Sequence, residues 1–280
     1  MDFPVVFDAF GVGIPAHLVF ESLAYAIGFR LYLWLRQKTK DPVDNKSRLT
    51  VLIGAIVGAA VGSKVLAFAE HPELWPLAHA DPVYFIASKS ILGGLLGGII
   101  GVEITKAFAG ITRSTGDIYV FPLLTAIAIG RMGCLLTGVS DGTWGNATHF
   151  ILGFNAGDGV IRHPTPLYEI AFLTSFGLGL WHTQRHLRLE EGDFFKIFIM
   201  GYCLWRFGIE FLKPVTTYNV ASNLNIVQNV ATTGALSAFP GVSLLQLTAL
   251  AGVTFYAAFF LQRRLQKGGK WPRVTMFSLN

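Results

Sequence analysis

Ile129-Gly130-Arg131-Met132-Gly133-Cys134, followed by Leu135 to Gly145 (LLTGVSDGTWG), is the stretch on which the reading of the chain turns. An arginine stands between two glycines inside an apolar run long enough to cross a bilayer. Even lenient insertion scales put arginine at the centre of a membrane helix at about +2.5 to +3.5 kcal/mol. So costly a residue points to a partner or a ligand inside the membrane.

The rest of the chain sets that arginine in a polytopic membrane protein. Of its 280 residues 52% are hydrophobic and only 14% charged, where a soluble domain carries about 25% charged residues. The net charge of +5 does not indicate a nucleic-acid partner, because the basic residues flank apolar runs instead of forming one patch. Two cysteines, Cys134 and Cys203, both in apolar stretches, do not make a disulfide framework. The start, MDFPVVFDAFGVGIP, lacks a basic region, so the first apolar run is expected to be a retained span.

Apolar runs of roughly 20 residues, the length that spans a bilayer, lie at Ile14 to Leu35, Leu49 to Ala69, Val83 to Ala107, Ile118 to Leu136, Pro166 to Trp181, Phe194 to Leu212 and Val242 to Leu261. The expected fold is an all-α integral membrane protein of seven transmembrane helices forming one polytopic domain over residues 1–280. Lys and Arg distribution orients it. With the N-terminus outside, cytoplasmic segments hold 15 of the 22 basic residues, and the external loops hold only Arg162 and Lys213. That asymmetry places the N-terminus outside and the C-terminus in the cytoplasm. External loops 70–82, 137–165 and 213–241 then lie over the site, the two longer ones as irregular lids.

Five basic residues remain inside the runs. Arg30 is near a cytoplasmic end and can snorkel. At 1.5 Å per residue, Arg131, Arg206, Lys89 and Lys64 all fall about 20 Å above the cytoplasmic face. Acids share this layer: Glu21 in the first run, Glu169 in the fifth, and Glu210 one turn beyond Arg206. Glu103, near a cytoplasmic end, is expected to pair with Lys106. Charges inside a membrane face partners or a wet cavity, so the layer is expected to be a polar chamber open to the outside. Four cations against three acids leave one positive charge over. An anionic phospholipid headgroup fits that surplus, since arginine offers a planar, permanently charged fork to phosphate oxygens. Interhelical salt bridges are the competing account, best for Arg206 with Glu210 at i,i+4.

Three further stretches bear on the site. Gly93, Gly97 and Gly101, with Gly94 and Gly98, repeat at four-residue spacing and predict a close helix–helix approach. Arg162-His163-Pro164-Thr165-Pro166-Leu167-Tyr168-Glu169 enters the fifth run from outside, with prolines setting the entry and His163 and Glu169 at the mouth. Tyr202, Arg206 and Glu210 form a polar stripe at i, i+4, i+8 of a membrane helix.

Together, the Gly130-Arg131-Met132-Gly133 run, the RHPTPLYE stretch, the Tyr202/Arg206/Glu210 stripe, the glycine-rich third run and seven spans entering from outside resemble the bacterial prolipoprotein diacylglyceryl transferases. The resemblance implies a multi-pass enzyme of the bacterial cytoplasmic (inner) membrane that needs no metal or organic cofactor. It implies transfer of the diacylglyceryl group of phosphatidylglycerol to the lipobox cysteine of a prolipoprotein signal peptide, with release of glycerol phosphate. It also implies that Arg131 and Arg206 hold the lipid phosphate. With Glu210 they form the expected catalytic set; Lys64, Lys89, Tyr202, Cys134, Glu21, Asp141, His163 and Glu169 are the expected substrate-binding residues. Three positions depart from the family pattern. Leu92-Gly93-Gly94 stands where that family has His-Gly-Gly, Cys134 stands for an asparagine, and Glu21 for a tyrosine. Glu21, His163, Glu169 and Asp141 are candidates to replace the missing base, and Cys134 is either a small apolar filler or a transient acceptor. A lipid-binding relative without catalysis, or one with another acceptor, and an anion or lipid transporter are the alternatives.

Overall fold

A computed structural model describes residues 3–9, 11–39, 43–72, 74–184, 189–213 and 242–266. Helix dominates: α1 (Ala16–Thr39), α2 (Asn45–Glu70), α3 (Leu74–Ala80), α4 (Pro82–Ala87), α5 (Ile91–Ala109), α6 (Val120–Thr137), α7 (Thr165–Thr183), α8 (Asp193–Ile209) and α9 (Leu244–Gln266). Five segments are long and apolar enough to cross a bilayer: α1, α2, α5, α9 and residues 117–141 around α6. α7 and α8 are of similar length, 19 and 17 residues. The expected lid at 213–241 lies almost wholly outside the described residues.

The third expected run is not one helix. Asp81 caps α4, accepting from the Val83 amide, and Pro82 occupies its first turn. The chain then runs extended at Ser88, and Ser90 caps the start of α5. Lys89 therefore sits in a polar break between helices, not in the middle of a span. Ser-Lys-Ser supplies the caps that an uninterrupted apolar helix would lack.

Glycine sets the closest packing in the molecule. The expected stripe Gly93/Gly97/Gly101 on α5 meets a matching stripe, Gly54/Gly58/Gly62, on α2. A Cβ on Gly58 would stand 2.3 Å from the carbonyl oxygen of Gly97, so the two backbones touch directly. α1 packs on α6, α6 on α7, and α8 on α9. Leu92, Leu124, Leu173, Phe198, Ile199 and Ala249 share one buried cluster among α5 to α9. Leu92 is part of that apolar core, 1% exposed, at the position where the resemblance expects a histidine.

Two hairpins lie outside the helices. β1 (Val6–Ala9) pairs antiparallel with β2 (Val12–Pro15) immediately before α1, so the first helix starts at Ala16 and not Ile14. Within 137–165, a 3-10 turn at Gly138–Asp141 follows α6, and β3 (Phe154–Asn155) pairs with β4 (Ile161–Arg162). Segment 137–165 is therefore not wholly irregular, and loop 70–82 contains α3.

Candidate functional site

Glu169 is the hub of the buried charge. The prolines around Thr165 start α7 and carry this carboxylate one turn into the helix bundle, where it is 2% exposed. Its Oε2 lies 2.7 Å from Arg131 Nε on α6 and 3.7 Å from Arg206 Nη1 on α8. Its Oε1 accepts a 2.8 Å hydrogen bond from Tyr202 Oη. Arg206 Nη2 donates to Glu210 Oε2 at 3.1 Å, and Lys213 Nζ is 3.7 Å from that same oxygen. Arg131 and Arg206 are 6% and 5% exposed, so both guanidinium groups are buried against one shared carboxylate.

Hydrogen bonding leaves this cluster unfinished. Arg131, Arg206 and Lys213 face Glu169 and Glu210, and Glu70 at the end of α2 lies within electrostatic reach of Arg206, Lys213 and Glu210. Arg206 Nε and Nη1 are buried with no hydrogen-bond acceptor among the described residues. A buried donor left unmet costs about 1–3 kcal/mol, more for a charged group. An anionic oxygen placed there would satisfy both donors. Lys213, outside the helix end and 13% exposed in its side chain, has its pKa lowered to about 8, by burial first and by Arg206 next.

The opposite flank of Arg131 is built differently. Its Nη1 lies 3.5 Å from Cys134 Sγ, one turn along α6. Cys134 in turn stands beside His17 and Asp141, with the ligating atoms of the three within 4.8 Å of one another. His17 Nδ1 is 2.9 Å from Asp141 Oδ1. Thr143 Oγ1 donates to Asp141 Oδ2 at 2.7 Å. His17 Nε2 faces Glu21 Oε2 at 3.9 Å, and Glu21 Oε1 takes Lys89 Nζ at 2.5 Å and Tyr25 Oη at 3.1 Å. α1 comes this close because α6 has Gly133 opposite it: a Cβ there would be 3.1 Å from the Cα of His17.

Of the eleven residues expected at the site, nine join one of these two clusters and two lie apart from both. Arg131, Arg206, Glu169, Tyr202 and Glu210 converge on the buried side; Cys134, Asp141, Glu21 and Lys89 gather on the other. Lys64 does not join the layer. Its ammonium donates to the backbone oxygens of Phe85, Ile86 and Ser88, the last two at 3.0 and 2.7 Å, and so caps the end of α4. His163 is held apart as well, with Nδ1 3.1 Å from Tyr168 Oη and its ring near Phe150. Glu103 pairs with Lys106 at 3.0 Å, as expected. His17 and Lys213 are the residues that the sequence reading passed over. His17 stands four residues before Glu21 and Lys213 three after Glu210, spacings that put each pair on one helical face.

Beside the buried cluster, α7 and α8 enclose an apolar groove of about 570 Å³ lined by Tyr168, Phe172, Phe176, Leu204 and Trp205. Phe172 stacks on Trp205 with centroids 4.5 Å apart. Trp205 adjoins Arg206 in the chain, so charged and apolar surfaces meet at one point of α8.

The family model described as prolipoprotein diacylglyceryl transferase matches residues 4–261. Among curated relatives, a protein of Dehalococcoides mccartyi strain 195 is 27% identical over 218 residues, covering 75% of this chain and 82% of its own. One from Methylobacillus flagellatus is 28% identical, covering 70% and 79%. One from Idiomarina loihiensis is 30% identical, covering 75% and 80%. All three carry the name phosphatidylglycerol--prolipoprotein diacylglyceryl transferase.

Proposed function

The chain belongs to the prolipoprotein diacylglyceryl transferase family, and on that premise we propose that it transfers the diacylglyceryl group of phosphatidylglycerol to the cysteine thiol of a prolipoprotein lipobox. The acceptor sulfur forms a bond to the glycerol carbon as that carbon's bond to the phosphate oxygen breaks. The electron pair leaves with the phosphate, the thiol proton is given up, and glycerol phosphate is released. Negative charge grows on the leaving phosphate, and guanidinium groups held in place in a dry site stabilise it. Arg131 and Arg206 fill that role, Glu169 and Tyr202 orient them, and Glu210 with Lys213 completes the rim.

The observation that carries this reading is the pair of buried Arg206 nitrogens, Nε and Nη1, with no hydrogen-bond acceptor among the described residues. The apolar groove between α7 and α8 suits an acyl chain of the bound lipid. In this reading all seven long helices cross the bacterial inner membrane, the N-terminus lies outside as the basic residues indicate, and the site opens to the outer leaflet.

The test uses native membranes, labelled phosphatidylglycerol and a lipobox peptide, comparing wild type with Arg131→Ala and Arg206→Ala. Label reaches the peptide cysteine in wild type and falls at least 10²-fold in each variant, the scale expected when one charge-stabilising donor is removed. Lipid binding without transfer in wild type identifies a non-catalytic relative and overturns the proposal. Label on another molecule overturns the acceptor.

A further inference from the structure

We propose that His17, Cys134 and Asp141 form a divalent-metal site, of the kind that takes zinc, and that the metal delivers the acceptor thiol as a thiolate. The inference rests on the transferase reading above and names the group that turns the acceptor thiol into a thiolate. Leu92 is packed in the apolar core where the family resemblance expects a histidine, and nothing in the Arg131/Glu169/Arg206 cluster is free to take a proton.

The donor set carries the argument. An imidazole, a thiolate and a carboxylate are zinc's ordinary protein ligands, and three of them with a fourth position open is the pattern of a catalytic site. They come from α1, from α6 and from the 3-10 turn after α6, so the tertiary fold is needed to assemble them. Their ligating atoms already lie within 4.8 Å of one another. Tetrahedral ligation at zinc's bond lengths separates ligand atoms by about 3.3–3.8 Å, so the 2.9 Å contact between His17 Nδ1 and Asp141 Oδ1 widens slightly as the three side chains settle around an ion. The outer contacts also match. Glu21 faces the remaining nitrogen of His17, and Thr143 holds the second oxygen of Asp141, leaving Nδ1 and Oδ1, 2.9 Å apart, as the atoms that ligate beside Cys134. The thiolate and the carboxylate together balance a dication. The His17 side chain is 39% exposed, which leaves a side from which a substrate can reach the fourth position.

Chemistry favours this over Cys134 as a covalent carrier. If Cys134 took the diacylglyceryl group, the product would be a thioether, and passing it on would require an unactivated thiolate to leave a saturated carbon. As a ligand Cys134 never changes. The acceptor thiol binds the metal and its proton goes to water. The bound thiolate then attacks the glycerol carbon while the C–O bond breaks towards the phosphate held by Arg131. That guanidinium touches both clusters, which places the thiolate next to the leaving group.

The decisive experiment measures metal and transfer separately on the full chain in detergent. Wild type is expected to hold about one zinc per chain; stripped protein takes up Co²⁺ with a thiolate-to-cobalt charge-transfer absorption. Cys134→Ser removes that absorption and Cys203→Ser keeps it. His17→Ala and Asp141→Asn abolish stoichiometric zinc, and Thr143→Val weakens zinc affinity about tenfold, the scale of a lost outer contact. Chelation stops label transfer, and zinc restores it. Wild type that binds neither ion yet transfers label overturns the metal site, and equal transfer with and without zinc overturns its thiol-activating role; both leave the transferase standing. Zinc bound by the trio with no label on the peptide overturns the transferase reading, and with it the thiol-activating role.

Discussion

The two flanks of Arg131 are built on opposite principles. Towards α7 and α8 the partners are dry and over-determined: Arg131, Arg206 and Glu169 are each at most 6% exposed, and Tyr202 locks the shared carboxylate. Towards α1 the groups are partly open, with His17, Glu21 and Lys89 exposed by 39%, 24% and 44% in their side chains. A buried ion cluster fixes geometry, because any displacement leaves a charge without a partner. A half-open cluster can exchange protons, ions and substrate. The family resemblance rests on Arg131 and Arg206 of the closed flank, while two of the departures it implies, Cys134 and Glu21, fall on the open one.

Breaking the closed flank gives the largest expected effect. Glu169→Ala leaves two buried guanidinium groups facing each other and destabilises the fold by about 3–5 kcal/mol, read as a fall in the thermal midpoint of the detergent-solubilised chain. A fall no larger than that of Glu21→Gln, measured in parallel, removes the distinction between the flanks.

The next effect sharpens how the closed flank meets solvent. Lys213 has a pKa lowered to about 8, so its charge is present below that pH and lost as pH rises through it. Affinity for an anionic lipid is therefore expected to be level up to about pH 8 and then to fall by up to tenfold per unit. Lys213→Met flattens the profile at the high-pH level. A wild-type profile that is flat from pH 7 to 9 takes Lys213 out of the anion site.

The smallest effect belongs to the open flank. Glu21→Gln breaks the partly exposed pair with Lys89 and costs about 1 kcal/mol or less, again read from the thermal midpoint. A loss comparable to Glu169→Ala makes both flanks structural.

Much of the closed flank was legible because a membrane makes charge conspicuous. Arg131, Glu169, Tyr202, Arg206 and Glu210 stand out in apolar runs, and the i, i+4, i+8 spacing put the last stripe on one face. Depth counting worked less well for lysine. Lys64 and Lys89 were expected in the arginine layer, yet one caps α4 and the other sits in a helix break, because long side chains and polar Ser-Lys-Ser caps respond to backbone ends that hydropathy does not reveal. The partner of the α5 glycine stripe was equally hidden: spacing shows that a helix can approach closely, and only packing shows that α2 is the helix that does.

By itself, the sequence determined that this is a helical membrane chain with an arginine-centred layer of charge, since composition and the cost of burying ions are local properties. Tertiary structure alone decided that Glu169 serves both arginines and that His17 reaches Cys134 and Asp141 from another helix. Those meetings depend on how α1, α6, α7 and α8 pack, and helix packing is set by contacts between residues far apart in the chain.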